Sequence, residues 1–154
     1  MLYAFYASVG PYNRQTVSVA FSEDGVMFKK YEGNPIIYDW PCDNGGNFRD
    51  PAVFCEDVRN YLIVASADNA RKTGTLLLYE SNDLLNWKYK GVLYEYRDAF
   101  CCECPSFLKL GNGYLLGTSV IMNDGQRFFE VVYGDFDGAV FSPQISRCFI
   151  DIAA

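Results

Sequence analysis

The strongest constraint on this chain is a repeat. The segments "VAFSEDGVMFKKY" (19–31), "LLYESNDLLNWKY" (77–89) and "VVYGDFDGAVFSP" (131–143) share one plan. In each, an aliphatic strand ends in an aromatic residue, a small or acidic turn carrying Asp follows, and a large aromatic opens the next strand. Asp24 and Asp83 are 59 residues apart, and Asp83 and Asp137 are 54 apart. A second echo pairs "RDPAVF" with "ECPSFL", where Pro51 and Pro105 stand 54 residues apart. "YLIVASA" and "YLLGTSV" follow these at similar distances. Two independent echoes at one period point to a four-stranded unit repeated about every 50 residues, which is how β-propeller blades are written. A β-sandwich with chance similarity is the competing reading.

Short apolar runs between Gly, Asn and Asp punctuation predict strands near 2–9, 16–22, 28–32, 51–56, 61–67, 75–81, 87–94, 105–110, 114–120 and 128–136. "MLYAFYASVG" has no basic leader and reads as a strand rather than a signal peptide. The expected fold class is all-β, an incomplete β-propeller of about two and a half to three blades of four-stranded antiparallel sheets. Residues 1–47 would end one blade, 48–100 would form a second, and 101–154 would form a third that need not be complete. Three strands precede the second blade, one fewer than a blade needs. Propellers close with about four to eight blades. The expectation is therefore a fragment of a larger domain, or a subunit completed by a second chain.

Composition removes several function classes. The 154 residues contain no histidine, which excludes Ser-His-Asp and Cys-His catalysis and His-ligated metals within the chain. Acid–base work must fall to carboxylates, Tyr, Lys or Cys. The net charge of −6 argues against nucleic acid as a partner. No apolar run approaches the roughly 18 residues of a membrane span. Cys42, Cys55, Cys101, Cys102, Cys104 and Cys148 fit no zinc spacing; neither a metal nor another cofactor is expected. Such irregular thiols favour a reducing, cytoplasmic compartment.

Asp50 and Glu103 are 53 residues apart, one period, and each precedes the first strand of a blade. First strands line a propeller's central channel, so both carboxylates are expected at one channel mouth. Paired carboxylates in a partly desolvated pocket suit glycoside hydrolysis, one serving as acid and another stabilising positive charge at the sugar. A solvated rim turn is the plainer reading of the same spacing.

The residues also carry a resemblance. "FRDP" (48–51) followed by "ECP" (103–105), with "SEDGVMFKKYEGNPII" (22–37), "YESNDLLNWKYKGVL" (79–93) and "YGDFDGAVFSP" (133–143), resembles glycoside hydrolase family 32, the invertases, levanases and inulinases. The resemblance implies a five-bladed propeller acting on β-fructosides of the sucrose, levan or inulin type by a retaining two-carboxylate mechanism. It implies that Glu103 is the general acid/base, that Asp50 binds fructose hydroxyls and stabilises the transition state, and that Arg49 positions the sugar and carboxylates. The family's nucleophile, the Asp of an N-D-P-N motif, has no counterpart in residues 1–154, and one period back from Asp50 falls ahead of Met1. "NP" at 34–35 lacks the Asp. The isolated chain is expected to be inactive. A carbohydrate-binding remnant and one half of a split enzyme are the alternatives. Trp40, in the loop before RDP, is the best aromatic candidate for sugar stacking; Trp87 and Tyr94 read as core. Cys104 is expected to pack beside Glu103 without acting as a nucleophile, and Arg14 and Arg127 read as solvated surface charges.

Overall fold

The computed structural model describes residues 1–145 and the backbone of 148–151. It forms three antiparallel sheets. The first runs β1 (Leu2–Val9), β2 (Gln15–Ser22), β3 (Lys29–Lys30). The second runs β4 (Phe48–Glu56), β5 (Arg59–Asp68), β6 (Thr73–Ser81), β7 (Lys88–Arg97). The third runs β8 (Ala99–Leu110), β9 (Gly113–Met122), β10 (Arg127–Phe136), β11 (Phe141–Pro143), with β12 (Cys148–Asp151) also pairing to β10. The expected repeat is this architecture: sequential strands pair, and each sheet is a propeller blade. In the second and third sheets an inner strand (β4, β8) precedes the strand equivalent to β1. Among the described residues β1 pairs with β2 alone, so the first sheet has no inner strand.

The repeated Asp has a structural cause. Asp24 Oδ1 accepts the N–H groups of Val26 and Met27 at 2.8 and 2.9 Å. Asp83 Oδ1 does the same for Leu85 and Asn86, at 3.0 and 2.8 Å, and Asp137 Oδ1 for Ala139 and Val140, at 2.9 and 2.8 Å. Each carboxylate thus closes the turn between the third and fourth strands of its blade. These N–H groups, chiefly that of Met27, hold the Asp24 carboxyl below its ordinary value of 3.8, at about 2. Asp83 and Asp137 are lowered by the same kind of donors. A carboxyl lowered in the folded state stabilises it fully above the unfolded value, near pH 4, and loses that contribution as pH falls through the folded value. The melting temperature is therefore expected to drop between about pH 4 and pH 2. An Asp24→Asn, Asp83→Asn, Asp137→Asn variant should flatten that slope in a melting series, and an unchanged slope would place the acid loss on other carboxylates.

The core lies between blades. β5 alternates across its two faces: Tyr61, Ile63 and Ala65 join Leu76, Leu78, Phe107 and Leu116 between the second and third sheets. Leu62 and Val64 join Val17, Ile37, Phe48, Leu77 and Tyr79 between the first and second. Burial on both faces explains why "YLIVASA" is apolar throughout rather than alternating. At Gly74 on β6, an added Cβ would stand 2.8 Å from Cys102 Sγ and 3.0 Å from the Cys101 carbonyl carbon. Glycine is what lets β8 approach this closely.

Candidate active site

The charged residues do not precede the inner strands, as their prolines suggested; they lie within them. β4 starts at Phe48 and β8 at Ala99, and both strands continue across the proline through a bulge. Arg49 faces Ala65 and Ala52 faces Ile63, so three steps on β4 meet two on β5. Glu103 faces Ser119 and Ser106 faces Gly117, the same offset in the next blade. Each bulge absorbs a proline, which has no N–H for the ladder. The residue before each proline has a positive φ, +52° at Asp50 and +50° at Cys104. Non-glycine residues held this way cost about 1–3 kcal/mol and concentrate at functional sites. The equivalent of Glu103 is consequently Arg49, and that of Asp50 is Cys104. The 53-residue spacing of the two carboxylates is one short of the 54-residue structural period.

That offset lets the two strands interlock. Arg49 Nη2 donates to Glu103 Oε1 at 2.7 Å. One residue on, the Cys104 N–H donates to Asp50 Oδ2 at 2.9 Å. Arg49 Nη2 also reaches Cys101 Sγ at 3.5 Å, and its Nη1 donates to Asn47 Oδ1 at 2.8 Å. The Arg49 and Glu103 side chains are 21% and 32% exposed, so the pair is half-buried. Burial works against the guanidinium charge, and Glu103, with Cys101 and Asp50, outweighs it, leaving Arg49 above its ordinary value. Among the described residues Glu103 Oε2 accepts no hydrogen bond. Burial, then the Asp50 carboxylate, push the Cys104 thiol up, so it stays protonated near neutral pH and is a poor nucleophile.

Two supporting residues carried no sequence signal of their own. Gln15, first residue of β2, accepts the Phe48 N–H at 2.8 Å and Arg49 Nη1 at 3.5 Å through Oε1. Asn47 is buried beneath the loop and anchors Arg49 from the other side. Trp40 is held on the first sheet: its indole N–H donates to the Gln15 carbonyl at 2.8 Å, and its ring carries the Arg14 guanidinium at 4.3 Å. Arg14 is therefore not a solvated charge, since it also lies 4.3 Å from the Tyr38 ring. Asn34 of "NP" is structural, with its amide bonded to both the N–H and the C=O of Val19.

The sequence model of the glycosyl hydrolases family 32 N-terminal domain matches residues 1–151. The chain belongs to glycoside hydrolase family 32. A sucrose-6-phosphate hydrolase of Staphylococcus xylosus is 35% identical over 126 residues, which is 75% of this chain and 25% of that protein. A fructan beta-fructosidase of Streptococcus mutans is 33% identical over 129 residues, 80% of this chain and 8% of that protein. Among solved structures, a mutant of the Bombyx mori GH32 beta-fructofuranosidase BmSUC1 in complex with sucrose superposes with a TM-score of 0.82 at 29% identity, covering 97% of this chain and 35% of that one. Fructan 1-exohydrolase IIa from Cichorium intybus, solved with 1-kestose, shares the fold at a TM-score of 0.73 and 21% identity, over 92% of this chain and 30% of that chain. The chain spans about a quarter to a third of the length of these family 32 proteins, apart from the much longer Streptococcus enzyme. The incomplete propeller is accordingly part of a family 32 N-terminal domain, with β-fructofuranosidase-like architecture.

Proposed function

We propose that this chain supplies the acid/base wall of a β-fructofuranosidase site. The observation that supports the reading is the Arg49–Glu103 contact at 2.7 Å beside the Asp50–Cys104 lock, which ties the residues next to and including both carboxylates together across neighbouring inner strands. Arg49 holds Glu103 Oε1 and leaves Oε2 to carry the proton delivered to the glycosidic oxygen. Asp50, with Oδ2 held by Cys104, keeps Oδ1 for fructose hydroxyls and for the positive charge that develops at the anomeric carbon. A retaining mechanism also needs an attacking carboxylate. The N-D-P-N motif that provides it in the family is absent from these residues, so residues 1–154 alone should not turn over substrate. The substrate class is a terminal β-fructoside of the sucrose, levan or inulin type, as the names of the relatives suggest.

A second reading is that the chain acts as one half of a split enzyme. One assay separates the readings. Fructose release from sucrose and levan is measured for the chain alone and for the chain joined to a polypeptide supplying the rest of a family 32 propeller, N-D-P-N strand included. No release alone and release from the covalent fusion supports the acid/base wall. Release when the two pieces are merely mixed supports the split enzyme. Sugar binding with no release in any format would leave a binding remnant and overturn the catalytic reading.

A further inference from the structure

Arg49 reaches Glu103 through one nitrogen, Nη2, and is held from behind through the other, Nη1. The hold on Nη1 comes from Asn47 Oδ1 at 2.8 Å, with Gln15 Oε1 a longer 3.5 Å away. Asn47 stands just ahead of "FRDP" and outside "ECP". We propose that Asn47 is a positioning residue of the acid/base wall: by fixing Arg49 it fixes the Glu103 carboxyl against the glycosidic oxygen. The inference rests on the fructosidase reading and extends it to a residue that touches no substrate.

Three observations support it. The first is that Asn47 is itself held fast. Its Nδ2 donates to the Asn44 carbonyl at 3.1 Å and its N–H to the same carbonyl at 3.0 Å, while its own carbonyl accepts the Ser66 hydroxyl at 2.8 Å. With Nδ2 spent on a carbonyl, which only accepts, the amide oxygen is the end left for Arg49. Asn47 is 7% exposed, and Asn44 and Ser66 are fully buried, so little water competes for these bonds. The second is the shape of the guanidinium. It is planar, so a hold on Nη1 sets the direction of Nη2. Gln15 cannot stand in for Asn47, because its Oε1 is already engaged by the Phe48 N–H at 2.8 Å and its contact to Nη1 is long for a hydrogen bond. The third is where the anchor stands. Ser66 lies on β5 directly opposite Phe48, so Asn47 is tied to the blade that carries Arg49. A displacement of about 1 Å at a reacting group costs about a hundredfold in rate, and this tie is what prevents it.

The test uses the covalent fusion that supplies the rest of the propeller. Its kcat/KM is measured on sucrose and on fructosyl fluoride, whose fluoride leaves without a proton. Asn47→Ala should lower the value on sucrose about tenfold to a hundredfold, and on fructosyl fluoride no more than about threefold. Asn47→Asp, which gives Nη1 an acceptor again, should recover the greater part of the loss. In a Glu103→Gln background, Asn47→Ala should add less than about threefold, since both residues act through one run of contacts. Nitrogen-15 spectra of the fusion give a readout that needs no turnover. The Arg49 Nη1 and Nη2 signals, assigned by their disappearance in Arg49→Lys, should be separate and should merge in Asn47→Ala as the guanidinium turns freely. Circular dichroism checks that each variant is folded. Equal losses on both donors, a full further loss in the Glu103→Gln background, an Asp variant as slow as the Ala variant, or Arg49 signals unmoved in Asn47→Ala would each overturn the proposal. No release from either donor by the unsubstituted fusion would instead sink the fructosidase reading, and the Arg49 signals would still decide whether Asn47 holds the guanidinium.

Discussion

In a completed propeller, Glu103→Gln should lower fructose release from sucrose by about 10²–10⁴-fold, the usual worth of a positioned general acid. The amide keeps the carbonyl that accepts from Arg49 Nη2, so the interlock of β4 and β8 persists and KM should change little. The loss falls on kcat because the missing proton matters only as the glycosidic bond breaks. Fructosyl fluoride, whose leaving group needs no proton, should lose far less. An equal loss on both donors would mean that Glu103 positions the sugar rather than protonating it.

The second large effect is on stability. Phe48 is fully buried directly beneath the site, packed edge-on against Tyr79 with ring centroids 6.4 Å apart. Its N–H is also the strand's bond to Gln15 Oε1, at 2.8 Å. Phe48→Ala should cost about 3–5 kcal/mol in urea unfolding, the sum of lost burial and the cavity left behind. Phe48→Leu, which keeps most of the volume, should cost about 1–2 kcal/mol. The alanine variant should lose sugar binding at the channel mouth as well, because Arg49 is the next residue on the same strand. A cost below about 1 kcal/mol would show that β4 does not pack through Phe48.

The fold was legible because its repeat is physical. Asp24, Asp83 and Asp137 recur since each blade needs the same turn closed by the same carboxylate. The runs "YLIVASA" and "TLLLYES" were readable as strands since both their faces are buried between blades. The inner strands were read too short for an equally physical reason. Proline cannot donate to a ladder, so Pro51 and Pro105 looked like strand starts, and only the bulges reveal that β4 and β8 run through them. The same bulges shift the carboxylates by one position, which spacing alone had hidden. Glu103 and Asp50 were named from motif and period. Gln15 and Asn47 were not, because a polar residue opening a strand or a loop looks alike whether or not it holds an arginine. Arg14 reads as a solvated charge in the sequence because its partners, Tyr38 and Trp40, lie some 25 residues along the chain and meet it only after folding.

The central claim is that β4 and β8 bring Asp50 and Glu103 to one sugar. The most direct measurement is a crystal structure of the completed propeller carrying Glu103→Gln, soaked with sucrose. The expected result is a fructosyl ring at the channel mouth, its hydroxyls on Asp50 and its glycosidic oxygen beside residue 103. A sucrose bound elsewhere on the molecule, with that mouth empty at saturating ligand, would contradict it.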